Sequence, residues 1–272
     1  MKKKIGLIAG NGKFPLIFAQ AAGKEGYEVF AVAHKGETDP TLERYVSGIK
    51  WVKVGQLGKL IKAFKQAGVK DVVLAGGITR RRLFKEIFPD LKALSLLARL
   101  KNKTDDVALR AVADELEKEG LVVQPSTLFV HSLLAPGGCL TKRKPNKEEK
   151  EDITFGWRMA KAIGELDIGQ CVVVKKQAVV AVEAVEGTDE TIKRGGKLAK
   201  EGAVVVKVSK PNQDLRFDVP AVGLKTIETM AMVKAKVLVI EAGKTLMFDK
   251  EEMLALANKE GISVVSLENG VL

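Results

Sequence analysis

An α/β fold with two lobes is predicted from three features of the chain. Short β-branched runs alternate with helix-period stretches, a break rich in turn formers falls at mid-length, and the alternation restarts beyond it. Residues 1–134 read as an N-terminal Rossmann-like domain with a parallel sheet, and residues 135–272 as a C-terminal mixed α/β domain. In the first, Lys4–Ala9 predicts a strand, Pro15–Lys24 a helix and Glu28–Ala33 a second strand. Trp51–Val54 then predicts a strand, Leu57–Ala67 a helix and Asp71–Ala75 a strand, with helical stretches over Arg81–Leu100 and Asp105–Glu119. Strand–helix–strand order favours parallel pairing through right-handed crossovers. Ala135-Pro136-Gly137-Gly138 and the charged stretch Thr141–Glu151 mark the linker. A helix over Lys150–Leu166 follows, then strands Cys171–Lys175 and Ala178–Glu183 with Lys176-Gln177 as a hairpin turn. Thr188–Lys200 predicts a helix capped by Thr188, Ala203–Val208 a strand and Thr226–Lys234 a helix. Val237–Glu241 and Thr245–Phe248 read as a second hairpin, and Lys250–Lys259 and Ile262–Ser266 as a closing helix and strand.

Composition narrows the chemistry. The 272 residues include 46% apolar side chains, enough for a core, and the mean hydropathy of +0.03 comes without an apolar run of membrane-spanning length. Met1-Lys2-Lys3-Lys4-Ile5 leads straight into a strand-like segment, which predicts a cytoplasmic protein without a secretion signal. Two cysteines and two histidines exclude a disulfide framework and a structural zinc site. Catalysis therefore falls to carboxylates, lysines, backbone amides or a hard metal ion such as Mg²⁺. The net charge of +11 sits mostly in residues 1–134, and suits a phosphorylated ligand or an anionic membrane surface. Nucleic acid is disfavoured: aromatics make up 5%, and no nucleic-acid-binding motif is found. A homo-oligomer is compatible with this composition.

Six constellations carry chemical meaning. Gly6–Pro15 joins the first strand to the first helix, where Gly10 and Gly12 let the backbone approach a phosphate and Asn11 and Phe14 flank it. It departs from the dinucleotide fingerprint, because Pro15 takes the third glycine position and the second strand ends in Ala33-His34-Lys35 without a ribose-binding acid. Gly76-Gly77, with Arg80, ends a central strand beside that loop. Arg80-Arg81-Arg82, Lys85, Lys92 and Arg99 decorate a helix on which Phe84, Phe88 and Leu91 share a face, a pattern suited to an anionic lipid surface as well as to plain packing. Asp105-Asp106 open the next helix, as caps or as Mg²⁺ ligands. Finally, Glu183–Glu190 with Thr188, and the proline-stiffened Lys210–Pro220 with Gln213, Asp214 and Asp218, are polar loops of the kind that carries ligand chemistry.

The segments GLIAGNGKFP, LAGGITR, AVVAVEAVEGTDETI, KPNQDLRFDVPAVG and EAGKTL together resemble the LpxI family of UDP-2,3-diacylglucosamine hydrolases, in order and along essentially the whole chain. One departure is Thr104, which stands before Asp105 where the resemblance leads one to expect glycine. The resemblance implies a bacterial enzyme of lipid A biosynthesis, in the cytoplasm at the inner membrane, with two domains and the active site between them. It implies cleavage of the UDP-2,3-diacylglucosamine pyrophosphate to UMP and 2,3-diacylglucosamine 1-phosphate (lipid X), supported by Mg²⁺. Asp218 matches the position that family treats as catalytic, with Asp214 as second choice; these two and Asp105 and Asp106 are the metal-ligand candidates. Lys210, Gln213 and Thr188 are then expected on phosphates or sugar, and Gly10, Asn11 and Gly12 on the nucleotide. Two other readings stay open: an NADP-linked oxidoreductase with Lys35 at the 2′-phosphate, and a non-catalytic protein binding a nucleotide-sugar or a lipid.

Overall fold

The computed structural model describes residues 3–79, 88–100 and 105–270, and for Asp105 and Asp106 the backbone alone. The chain divides into two compact units, residues 1–131 with 214–218 and residues 132–213 with 219–272. The excursion of Asp214–Asp218 into the first unit was not visible in the sequence.

Unit 1 holds a fully parallel sheet of β1 (Lys4–Ala9), β2 (Glu28–His34), β3 (Gly48–Val52), β4 (Asp71–Ala75) and β5 (Val122–Val123), in the order β3-β2-β1-β4-β5. Strand order reverses between β1 and β4, and ligands of open α/β sheets bind beyond the strand ends at such a reversal. Helix α1 (Phe14–Lys24) packs Phe18, Ala19 and Ala22 on one face. On the other, α2 (Leu57–Gln66), α3 (Leu91–Arg99) and α4 (Asp105–Lys118) contribute Leu60, Phe64, Ala93 and Leu116. At about 25 cal/mol per Å² of apolar surface removed from water, these two layers supply the main drive to fold.

The helix expected over Arg81–Leu100 is corrected. Phe88-Pro89-Asp90 is not helical, and α3 starts only at Leu91. Pro89 disfavours helix at the residue before it, and Asp90 then caps α3 by accepting from Ala93 N at 3.0 Å. The same carboxylate accepts from Gly58 N in the first turn of α2 at 2.7 Å, so one acid satisfies two helix starts. Phe88 is thereby removed from the helical face on which the sequence placed it, and Arg80, Arg81, Arg82, Phe84 and Lys85 lie outside the described residues.

Unit 2 holds a mixed sheet in the order β6-β13-β11-β9-β7-β8. Its members are β6 (Gly138–Cys139), β7 (Cys171–Lys175), β8 (Ala178–Val182), β9 (Val204–Lys207), β11 (Val237–Glu241) and β13 (Ser263–Leu267). Strands β9, β11 and β13 run parallel, and β6 and the β7–β8 hairpin pair antiparallel. Helix α5 (Lys147–Glu165) covers one face with Ile153, Trp157 and Ala160. Helices α6 (Thr188–Ala199), α7 (Leu224–Met232) and α8 (Lys250–Lys259) cover the other with Ile192, Ile227, Met230 and Met253.

Expectations for this unit change at several elements. Helix α5 begins three residues earlier than expected, because Asn146 and Glu149 form a reciprocal capping box. The hairpin expected around Ala242-Gly243-Lys244 does not form. Instead β12 (Leu246–Met247) pairs in parallel with β10 (Ala221–Val222), while β11 is flanked by β9 and β13. The Lys176-Gln177 hairpin is present: both residues take positive φ, 50° and 55°, and their N–H groups donate to Asp152 at 3.0 and 2.5 Å.

Candidate functional site

In unit 1 the loops leaving β1 and β4 meet main chain against main chain. Gly10 N donates to Ala75 O at 2.8 Å and Asn11 N to Gly77 O at 2.7 Å. A Cβ on Gly10 would stand 2.3 Å from Gly77 O, and one on Gly76 would stand 2.3 Å from Asn11 O. Gly76 also has φ of +81°, so only glycine fits there. The sequence read these glycines as room for a phosphate; in unit 1 they are also what lets the two loops touch each other.

Asn11 holds the third loop of this edge. Its Nδ2 donates to Glu37 Oε2 at 3.0 Å and to Thr79 Oγ1 at 3.2 Å, and Thr79 N and Oγ1 donate to the same Glu37 oxygen. The second strand therefore does have an acid near its end, three residues past His34, and it binds Asn11 and Thr79. Beneath it, Ala9 O accepts from Thr38 Oγ1 at 2.6 Å and from His34 Nδ1 at 2.9 Å, which fixes the imidazole tautomer. Burial, the largest influence, lowers the His34 pKa, so the ring is neutral. Gly12 has φ of +80° with open space around it, and Pro15 lies in the first turn of α1, whose N-terminus carries no side-chain cap. Phe14 opens that helix against the core.

Asp214–Asp218 packs on the same unit. Phe217 joins the apolar cluster of Ala113, Leu116 and Val123, and Ser126, three residues past β5, donates its N–H to Arg216 O at 2.7 Å. Asp214 is committed to Arg216: its oxygens accept from Arg216 N (3.1 Å), Nε (3.1 and 3.2 Å) and Nη2 (2.8 Å). That contact, above all, holds the Asp214 carboxyl below the usual carboxylate range. Arg216 in turn reaches Glu117 of α4 at 3.1 Å. Asp218 closes the turn, its N–H donating to Asp214 O at 3.1 Å.

In unit 2, Lys210 N donates to Gln213 Oε1 at 2.9 Å and Gln213 N to Lys210 O at 3.1 Å, a tight turn just before the chain passes to Asp214. The Lys210 ammonium is buried against Asp167 Oδ1 at 2.5 Å. Thr188 is not the cap of α6. Gly187, at φ of +85°, takes that position, and Thr188 Oγ1 donates to Glu183 Oε1 at 2.8 Å. The sequence reading missed a charge cluster on Glu241, the last residue of β11. Glu241 Oε2 accepts from Lys161 Nζ at 2.7 Å and Ser209 N at 3.0 Å, and Oε1 from Lys244 Nζ at 2.8 Å. Two of its members, Glu241 and Lys244, stand in the EAGKTL segment, the one available signal; Lys161 carries none.

Arg80 lies outside the described residues, and the side chains of Asp105 and Asp106 are not described, although α4 does open at Asp105. Among the described residues no group of three or more His, Cys, Asp or Glu is arranged to hold a metal ion. Mg²⁺ at phosphoryl-transfer sites takes one or two carboxylates plus substrate phosphate oxygens, so this set is compatible with a Mg²⁺–pyrophosphate complex and not with a cage made by protein alone.

Fold and site define a two-unit α/β protein with polar clusters where its parallel strands end, the edge at which open α/β sheets hold their ligands. The LpxI N-terminal and C-terminal domain models match residues 4–133 and 136–265. The chain is 35% identical, over 98% of both chains, to the protein of Caulobacter vibrioides named UDP-2,3-diacylglucosamine pyrophosphatase LpxI. It belongs to the LpxI family. Among solved structures, the biotin carboxylase domain of a Hydrogenobacter thermophilus 2-oxoglutarate carboxylase is 14% identical, with a TM-score of 0.29 over 74% of this chain and 41% of that one. N5-carboxyaminoimidazole synthetase of Staphylococcus aureus gives 14% and 0.27 over 64% and 34%. The chain thus spans less than half of either, and scores this low carry no functional argument.

Proposed function

We propose that this protein hydrolyses the pyrophosphate bond of UDP-2,3-diacylglucosamine, releasing UMP and 2,3-diacylglucosamine 1-phosphate. The observation that carries the reading is full-length identity of 35% to a relative named for that activity. Water adds to one phosphorus, the bridging P–O bond breaks, and each phosphorus leaves as a monophosphate. Such a reaction asks the protein mainly to position the phosphates and neutralise their charge. The backbone of Gly10–Gly12 and Gly76-Gly77 and the N-terminus of α1 are suited to the nucleotide phosphate, with Lys210, Gln213 and Thr188 on the sugar phosphate. Asp218 is the carboxylate we assign to orienting water, and it would hold Mg²⁺; Asp214, neutralised by Arg216, fixes the turn that presents it. When bound, the ion supplies positive charge to the developing phosphate oxygens.

The substrate carries two acyl chains, so the reading puts the protein in the cytoplasm at the inner-membrane surface. Among the described residues no helix is long and apolar enough to cross a membrane. Of the basic residues proposed to face lipid, Lys92 is engaged by Glu115 at 2.8 Å and by Glu119. Purified protein incubated with UDP-2,3-diacylglucosamine and Mg²⁺ should release UMP, and chelation should suppress it until Mg²⁺ returns. Asp218→Ala should lower kcat more than tenfold, over about 1.4 kcal/mol, with KM little changed. Release unaffected by Asp218→Ala would remove that residue from the chemistry, and no UMP from the parent would overturn the function.

A further inference from the structure

The Glu241 cluster has no part in the chemistry assigned above, and its composition is unusual for a merely structural ion pair. Glu241 is 2% exposed, yet two ammonium groups share its carboxylate, leaving a local charge of +1. Burial alone would push the carboxyl up; Lys161, Lys244 and the Ser209 N–H outweigh it and hold it below the usual range, so it is ionised. An ammonium has three N–H donors. Lys161 spends one on Glu241 and one on Ser209 O at 2.8 Å, and Lys244 spends one on Glu241. The remaining donors meet no acceptor among the described residues, and both side chains reach solvent, at 27% and 44% exposure.

The position matters as much as the charge. Glu241 ends β11 and Ser209 follows β9, two neighbouring parallel strands, so the cluster stands at the carboxyl edge where α/β sheets bind ligands. Because both ammoniums sit on one carboxylate, no more than about 8 Å separates them, a span that a single phosphoryl group bridges with one oxygen to each. The cluster keeps a net charge of +1, which favours an anion, and a phosphoryl group meets it with one or two negative charges and with separate oxygens for the two ammoniums. We propose that Lys161 and Lys244, carried on Glu241, form a phosphoryl-binding subsite in unit 2. The proposal deepens the functional reading, on which its choice of ligand rests: the phosphoryl group belongs to the nucleotide or to the sugar phosphate.

Isothermal titration with UMP and with glucosamine 1-phosphate, a water-soluble stand-in for the lipid product, distinguishes these two sources. Lys244→Met should weaken one of the two ligands about tenfold, and Lys244→Arg should stay within about threefold of the parent, because charge rather than shape is used. Lys161→Met should weaken the same ligand, and Trp157, whose ring centroid lies 5.4 Å from the Lys161 ammonium, should report binding by fluorescence. Lys244 is half-exposed on a turn, so its variants should keep the parent melting temperature even if Lys161→Met folds poorly. Parent affinity for both ligands in Lys244→Met, or no binding of either by the parent, would overturn the subsite. Lys244-dependent binding in a protein that releases no UMP from UDP-2,3-diacylglucosamine would instead overturn the function and leave the subsite standing.

Discussion

In unit 1 the loops leaving β1 and β4 touch main chain to main chain, Gly10 N to Ala75 O and Asn11 N to Gly77 O, with the Asn11 and Thr79 side chains meeting beside them, whereas in unit 2 the segments leaving β9 and β11 are joined by charge on Glu241. The first edge demands glycine at Gly10 and Gly76, where the two main chains touch; the second demands particular side chains. Backbone contacts tolerate no added Cβ, and a charged junction tolerates replacement in proportion to the charge and hydrogen bonds retained. Substitutions chosen to respect one logic and violate the other should therefore have opposite consequences in the two units.

The largest effect is expected at Gly76. An alanine there would be held at φ of +81° with its Cβ 2.3 Å from Asn11 O, and should cost at least about 3 kcal/mol, read as a fall in denaturation midpoint. Gly12→Ala sharpens the comparison, because φ is +80° but nothing lies within 4 Å, so only the backbone cost of about 1–2 kcal/mol remains. Equal losses at the two positions would contradict the close-packed loop edge. In unit 2, Glu241→Ala leaves Lys161 without its buried partner and should cost about 3 kcal/mol in urea unfolding, and Glu241→Gln, which keeps an acceptor, clearly less. Indistinguishable costs would mean that charge is not what joins the segments leaving β9 and β11.

These contrasts also explain how much was legible in the sequence. Unit 1 showed its plan because its signals are local: a β-branched strand, a glycine turn and a proline in the first turn of α1 are read within a dozen residues. The Lys176-Gln177 turn was legible for the same reason. The helix expected through Phe88 failed because apolar spacing was followed past Pro89, whose backbone constraint outweighs it. The β10–β12 pair is two residues long and joins Ala221–Val222 to Leu246–Met247, a pairing no local pattern signals. The commitment of Asp214 to Arg216, the use of Glu37 by Asn11, and the meeting of Lys161 with Glu241 depend on which loops the fold brings together. A motif names the residue types; whether a carboxylate is engaged by a neighbouring arginine is decided by the turn it sits in.

The smallest expected effect tests that last point. Arg216 holds the Asp214 carboxyl low, so the pair contributes its full stabilisation above an unfolded-state pKa of about 4 and loses it as pH falls through the lower folded-state value. The stability difference between the parent and Arg216→Met should therefore be present at pH 6 and shrink as pH falls through 4 and below. A difference that stays constant over this range would show that Arg216 acts through packing and not through the Asp214 charge.

Phosphorus NMR of UDP-2,3-diacylglucosamine with this protein and Mg²⁺ tests the central claim most directly, because it follows the bond itself. Two mutually coupled pyrophosphate resonances should be replaced by two uncoupled monophosphate singlets in equal amounts, at a rate proportional to protein and greatly slowed in Asp218→Ala. Resonances that move but stay coupled would mean that the sugar–phosphate bond is cleaved and UDP released, and resonances that persist unchanged would mean that the protein binds this class of ligand without turning it over.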